Sequence, residues 1–193
     1  MKNKENTKID ILFVLEGEGA EGLLIEKIKL YAKQIGGIEL NIKPAITIKT
    51  GGGFNKMIAD KIIKQKNNNL CVIFDVDDKN DEQYKSLIQF INNNKNIMFL
   101  LSNRQIEYWF ELCIKKEQAP TEVKDKKYYD GIKNELLQKF RETIQSHNIK
   151  EVFNTACDIE KQRQGDNFDY DRAKSYSTLY KLIDYLKINR LQF

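Results

Sequence analysis

The chain has 193 residues, with 32 lysines and arginines against 28 aspartates and glutamates, which gives a formal net charge of +4. This length fits one ordinary domain, or one domain with a sizeable appendage, and suffices for a buried core. A single histidine and three widely spaced cysteines argue against a histidine-rich zinc site and a disulfide framework. No segment approaches about 18 consecutive apolar residues, so we expect no membrane span. The polar N-terminus has no apolar signal segment, which favours a cytoplasmic protein.

The first part of the chain alternates predicted strands and predicted helices. Apolar runs predict four strands, at residues 9–15, 38–48, 70–74 and 97–101. Apolar residues at helical spacing follow each strand, at residues 24–35, 57–63, 84–91 and 104–114. Pro44 favours an edge position for the second strand, and Ser102 is placed to cap the fourth helix. Four strand-helix units predict an α/β fold with a mostly parallel sheet of about four strands flanked by helices.

The last part of the chain is predicted to be helical. After Pro120 the strand signal disappears, and two helical patterns remain, at residues 132–144 and 176–186. A polar stretch at residues 158–171 separates them. We therefore predict a core at residues 1–115 and a helical C-terminal extension at residues 116–193 that packs on this core.

Acidic residues are predicted to gather at one edge of the sheet. Glu16 follows the first strand, and Asp75 and Asp77 follow the third. Glu107 lies in the helix after the fourth strand. Ligands of an open parallel sheet bind beyond the carboxyl ends of its strands, where these carboxylates would repel one another unless a cation compensates. Oxygen ligands without histidine or cysteine favour Mg²⁺ or Mn²⁺ over zinc.

Other residues have simpler interpretations. An acid after a strand is ordinarily a helix cap or a turn former, and we prefer that interpretation for Asp78, Asp81 and Glu82. Trp109 and Phe110 are predicted to be core residues, and the cysteines to pack as small apolar residues. His147 has no partner nearby in the sequence and is predicted to be a surface residue. The joint occurrence of carboxylates after separate strands is what favours a functional site.

Three short segments carry a family resemblance. EGEGAE at residues 16–21, FDVDD at 74–78 and SNRQIEYWF at 102–110 resemble the RloB and AbiLii group of Toprim proteins. The pattern of that group is approximately EGxxTE, FDxDD and SNPxFExWxL. The positions that match are Glu16, Gly17, Glu21, Asp75, Asp77, Asp78, Ser102, Asn103, Glu107 and Trp109. The chain departs from the pattern at Ala20, Arg104 and Ile106, where threonine, proline and an aromatic residue are usual.

The resemblance implies a Toprim-like fold and a metal-dependent nuclease of a phage-defence or abortive-infection system, often encoded beside an SMC or ABC-like ATPase. It implies Mg²⁺ or Mn²⁺ as the cofactor and DNA or RNA, tRNA included, as the substrate. Asp75 and Asp77 would be the main metal ligands, and Glu16 a further ligand or the general base. Glu107 is a candidate ligand of a second metal, and Asn103 could orient a phosphate or a ligand carboxylate. Glu21 and Asp78 are further candidates.

Two alternatives stay open at this point. A non-catalytic Toprim module could bind an ATPase or nucleic acid without cleavage. A phosphohydrolase of the HAD type also has an apolar strand followed by DxD, but that motif is usually on the first strand, whereas FDVDD follows the third strand here.

Overall fold

The computed structural model describes residues 7–15, 19–36, 38–47, 56–65, 69–76, 81–103, 105–122, 124, 126–164 and 175–190. The predicted site residues Glu16, Asp77 and Asp78 lie outside these ranges. The strands are β1 (Thr7–Leu15), β2 (Ile38–Thr47), β3 (Leu70–Asp75), β4 (Met98–Asn103) and β5 (Tyr176–Ser177). The helices are α1 (Ala20–Ile35), α2 (Lys56–Lys64), α3 (Asp81–Asn93), α4 (Glu107–Lys115), α5 (Lys126–Ser146), α6 (Ile149–Gln164) and α7 (Tyr180–Arg190), with a short 3-10 helix at Lys116–Gln118. Within these ranges no helix combines the length and the apolar character needed to cross a membrane.

The strands form one sheet in the order β2-β1-β3-β4-β5. The first four strands run parallel, and β5 pairs antiparallel with β4. The prediction of an α/β fold with a mostly parallel sheet, flanking helices and a C-terminal helical part is therefore confirmed. β2 is an edge strand, as Pro44 predicted, and its register against β1 shifts between Leu12 and Val14, where Pro44 would otherwise have to donate a ladder hydrogen bond.

The side chains of the central strands alternate between two apolar clusters. Phe13 of β1 belongs to the larger cluster and its neighbour Val14 to the smaller one. α1, α4, α5, α6 and α7 complete the larger cluster on one face, and α2 and α3 complete the smaller cluster on the other. Both faces of β3 and of the second half of β1 are thus covered, which explains why residues 11–15 and 70–74 are unbroken apolar runs. In the first half of β1, the exposed Lys8 and Asp10 alternate with buried residues.

The larger cluster is rich in aromatic rings. Trp109 and Phe110 are fully buried in it, as predicted. Phe153 of α6 stacks on Tyr31 of α1 with ring centroids 5.5 Å apart, and meets Trp109 edge-on at 6.0 Å. A third ring, Phe140 of α5, lies 6.4 Å from Phe153. One ring of α6 therefore joins helices from both ends of the chain, although the predicted boundary between a core and an extension stays a prediction.

The structure corrects three details of the sequence-based elements. Ser102 does not cap a helix, because β4 continues through Asn103 and α4 begins only at Glu107. α6 occupies much of the stretch between the two predicted C-terminal helices, including the first half of the polar segment 158–171. Tyr176 belongs to β5 and not to a helix. In β5 two residues are too few for any periodicity, and pairing with β4 decides their conformation.

The single histidine and the cysteines take the predicted positions. His147 is exposed, and the three cysteines are buried free thiols. Burial raises the pKa of the Cys71, Cys113 and Cys157 thiols above the ordinary value. Burial therefore disfavours the reactive thiolate form of all three cysteines.

Candidate functional site

The carboxyl ends of β3 and β4 hold two of the predicted site residues in register. Asp75 ends β3, is partly buried, and lies opposite Ser102 of β4. The backbone N–H of Val76 then donates to the carbonyl oxygen of Ser102 at 2.9 Å. This extra hydrogen bond continues the ladder past the end of β3 and fixes the direction in which the chain leaves Asp75.

Asn103 is the last residue of β4 and is buried. It pairs with Tyr176 of β5, and the hydroxyl oxygens of Ser102 and Ser177 lie 3.3 Å apart. Thr178 extends this antiparallel pairing, because its backbone N–H donates to the carbonyl oxygen of Leu101 at 2.8 Å. β5 therefore closes the side of the site that would otherwise be the open edge of β4.

Glu107 is the first residue of α4 and is almost completely buried, with 1% of its surface exposed. Its Oε1 lies 2.6 Å from Nζ of Lys133, a residue of α5. Apart from Lys133, this oxygen has no hydrogen-bond partner in the described part of the chain. A carboxylate in the first turn of a helix is favoured by the helix dipole, but its burial calls for a cation.

Two further predicted site residues influence the pKa of Lys133. Partial burial by itself lowers this pKa. The negative charges of Glu107, Glu21 and Asp75 raise it by more, so it lies above its ordinary value. Glu21 is buried in the first turn of α1. Glu107 is thus in contact with Lys133, and Glu21 and Asp75 contribute to the raised pKa of the same ammonium group. The gathering of the predicted carboxylates at one edge of the sheet stays a prediction.

The structure does not describe the whole predicted site. Glu16, Asp77 and Asp78 lie outside the described ranges, so their distances to Asp75 and Glu107 stay undefined. Among the described residues no group of three histidine, cysteine, aspartate or glutamate side chains is arranged to hold a metal ion. The assignment of Asp75, Asp77, Glu16 and Glu107 as metal ligands therefore stays a prediction.

The sequence reasoning missed Lys133 and the residue that lies one helical turn beyond Glu107. Glu111 of α4 is fully buried and accepts hydrogen bonds from Tyr128 at 2.8 Å and Tyr129 at 3.2 Å. Lys115 lies 2.5 Å from Oε1 of the same carboxylate. The sequence offers one signal for these partners, which is the pair of glutamates four residues apart in the largely apolar helix EYWFELCIK. Such charges share one face of the helix and need partners when that face is buried.

A third buried carboxylate supports the strand that closes the site. Glu160 of α6 accepts hydrogen bonds from the hydroxyl of Tyr108 at 2.8 Å and from the backbone N–H of Ser177 at 2.9 Å. Gln164 also donates to Glu160, and Arg163 donates to the Tyr108 hydroxyl at 3.2 Å. The network links α6 with α4 and β5, so the position of β5 beside β4 depends on the C-terminal part of the chain.

The fold and these residues define an α/β protein with acidic side chains where the strands of a parallel sheet end. A family model described as RloB-like protein matches residues 11–186, which is most of the chain. The chain belongs to the RloB-like family, and the resemblance drawn from its three short segments is confirmed. Comparison with curated proteins and with solved structures finds no match.

Proposed function

We propose that the chain is a Mg²⁺- or Mn²⁺-dependent Toprim nuclease that cleaves phosphodiester bonds in DNA or RNA. The observation that carries the proposal is the buried carboxylate of Glu107, which pairs with Lys133 at 2.6 Å just beyond the carboxyl end of β4. Glu21 and Asp75 contribute to the raised pKa of the same lysine. Membership of the RloB-like family is compatible with it. A role in antiphage defence in the cytoplasm, together with an SMC or ABC-like ATPase, is proposed from the family resemblance alone.

The chemistry of the predicted ligands favours a hard divalent cation. The donors are carboxylate oxygens, which Mg²⁺ and Mn²⁺ prefer, and burial of Glu21 and Glu107 shields them from water. The field that favours the charged form of Lys133 would favour any cation in the same place. Asp75 and Asp77, with Glu16 and Glu107, would hold the metal, which neutralises charge on the scissile phosphate and lowers the pKa of a bound water.

The remaining groups of the site have proposed roles in positioning and proton transfer. Where Glu16 serves as the general base instead of a ligand, it would take the proton of the attacking water. The oxygen of that water bonds to phosphorus as the bond from phosphorus to the leaving oxygen breaks. Asn103, held between β4 and β5, would orient a phosphate oxygen or a ligand carboxylate through its side-chain amide. The network around Glu160 would keep Asn103 in place by holding β5 against β4.

The decisive experiment uses the Asp75→Ala variant of the full chain. The variant and the unmodified chain are incubated with panels of single- and double-stranded DNA and of tRNA, in Mg²⁺ or Mn²⁺, with and without the neighbouring ATPase. We expect cleavage by the unmodified chain and a loss of more than about 100-fold in the variant, since removal of a ligand costs at least as much as removal of its outer-shell support. Asp60→Asn, at an exposed acid of α2, is the matched control and should retain cleavage.

Other results would point to the alternative functions. Full activity of Asp75→Ala would contradict the proposal. Absence of cleavage of every substrate, with nucleic acid or the ATPase still bound, would favour the non-catalytic Toprim module. Release of phosphate from a simple phosphomonoester, abolished by Asp75→Asn, would favour a phosphohydrolase of the HAD type.

A further inference from the structure

Glu21, Asp75 and Glu107 are called the acidic cluster below. Lys133 approaches it from α5, which lies beyond the last of the three sequence segments that carry the family resemblance. Its side chain is 45% exposed, whereas the side chain of its partner Glu107 is 2% exposed. The carboxylate is therefore confined, while the ammonium sits at the boundary with solvent on a long flexible stem. In this ion pair the glutamate is held in place, whereas the lysine can move its ammonium group into water.

Among the described residues, Lys133 is the cation that contacts the buried Oε1 of Glu107. Apart from Lys133 this oxygen has no hydrogen-bond partner in the described part of the chain, so loss of the lysine charge would leave it without compensation there. Glu21 and Asp75 add negative charge around the same ammonium. A divalent cation bound among these carboxylates would satisfy Glu107 more strongly than an ammonium, and it would repel Lys133 at such a short distance.

We propose that Lys133 is the resident counter-cation of Glu107, and that it gives up this contact when a divalent cation enters the acidic cluster. The inference rests on the proposed function only in taking Glu107 as part of the metal site. Lys133 would then hold the cluster together in the metal-free protein and oppose the binding of the divalent cation. Through Lys133, α5 would thereby set the metal concentration at which the site fills.

The neighbouring pair on α4 provides a matched control. Lys115 and Glu111 are 2.5 Å apart, with 43% and 0% of their side chains exposed, close to the values of Lys133 and Glu107. Glu111, however, also accepts hydrogen bonds from Tyr128 and Tyr129. Glu111 and Tyr128, not Glu21 or Asp75, are among the main causes of the raised pKa of Lys115. Neutralising Lys115 therefore removes a similar ion pair that does not involve Glu107.

The test measures Mn²⁺ binding by calorimetry and thermal unfolding with EDTA or with Mn²⁺, on the full chain. For Lys133→Gln we expect a lower Tm in EDTA, a larger gain of Tm on adding Mn²⁺ than in the unmodified chain, and tighter Mn²⁺ binding on the order of tenfold. Lys133→Arg keeps the charge and should behave as the unmodified chain does. Lys115→Gln should lower the Tm without changing the affinity for Mn²⁺.

Unchanged or weaker Mn²⁺ binding by Lys133→Gln would overturn the inference, and so would an equal gain in affinity for Lys115→Gln. If Lys133→Gln does not fold in EDTA, recovery of the folded state with Mn²⁺ supports the inference, and failure to recover overturns it. The binding measurement needs no cleavage. Tighter binding without any cleavage would leave the inference standing and defeat the proposed nuclease, whereas cleavage with unchanged binding would defeat the inference alone.

Discussion

The two faces of the sheet differ in what they bury. On the face covered by α2 and α3, the buried side chains in the described parts of these two helices are Ile58, Ile62 and Leu87, all of them aliphatic. On the face covered by α1 and α4 to α7, three glutamates are buried with at most 1% of their surface exposed, namely Glu107, Glu111 and Glu160. The face under α2 and α3 thus contributes apolar packing, whereas the other face also buries carboxyl groups.

The number of helix layers over each face explains why, among the described residues, carboxyl groups are buried on one face and not on the other. A buried carboxylate needs donors or a cation, and a single layer of helices offers few of them. The second face has helices behind helices, so α5 supplies Lys133 to Glu107, and α4 supplies Tyr108 to Glu160. α5, which follows Lys115 in the chain, thus supplies a charged partner to Glu107, a predicted site residue.

The largest expected effect breaks the packing of the charged face. Phe153→Ala removes the ring that contacts Tyr31, Trp109 and Phe140, and should lower the free energy of unfolding by about 3 to 5 kcal/mol. Chemical denaturation followed by circular dichroism measures the change. Because the ring links α6 with α1, α4 and α5, the variant should also lose Mn²⁺ binding at lower denaturant concentrations than the unmodified chain.

Ile62→Ala on the opposite face is the comparison for this variant. Ile62 is buried in α2, and its truncation should cost about 2 to 5 kcal/mol while the folded protein keeps its affinity for Mn²⁺. A change in that affinity would contradict the division of roles between the two faces. No loss of stability in Phe153→Ala would contradict the role of its ring.

An intermediate effect separates the two glutamates of α4. Glu111→Gln replaces one acceptor oxygen by a donor amide, which faces the hydroxyls of Tyr128 or Tyr129 and the ammonium of Lys115. The free energy of unfolding should fall by about 1 to 3 kcal/mol, measured by urea denaturation, with Mn²⁺ binding unchanged. Tyr128→Phe removes a single donor and should cost less, about 0.5 to 1.5 kcal/mol. Weaker Mn²⁺ binding in Glu111→Gln would make Glu111 part of the metal site and would weaken the comparison.

The smallest effect concerns pH. Burial raises the pKa of Glu160 above its ordinary value of 4.5, although hydrogen bonds from Ser177, Tyr108 and Gln164 and the charge of Arg163 oppose the rise. The folded protein thus holds a proton that the unfolded chain releases, and this contribution to stability is complete below pH 4.5 and is lost as pH rises through the folded pKa. Glu160→Gln does not titrate at this position, so its stability should depend less on pH as the pH rises above 4.5. Parallel curves for both proteins in urea denaturation would refute this.

Much of the fold could be predicted because its signals are local. The run LCVIF predicts β3 whatever surrounds it, and Pro44 restricts β2 to an edge because proline has no N–H to donate. α6 was missed because its apolar face is interrupted by Glu160, whose burial depends on Tyr108 and Ser177 in other elements. β5 has two residues and exists only through its hydrogen bonds to β4.

The sequence by itself determined the alternation of strands and helices, the family, and the placement of Asp75, Asn103 and Glu107 after the ends of strands. These features depend on periodicity and on motifs that span a few residues. Only the tertiary structure decided that Lys133 faces Glu107, because any of the 32 basic residues could have neutralised a buried carboxylate. The packing of α5 against α4 selects the one that does, and packing between distant segments leaves no periodic signal in the sequence.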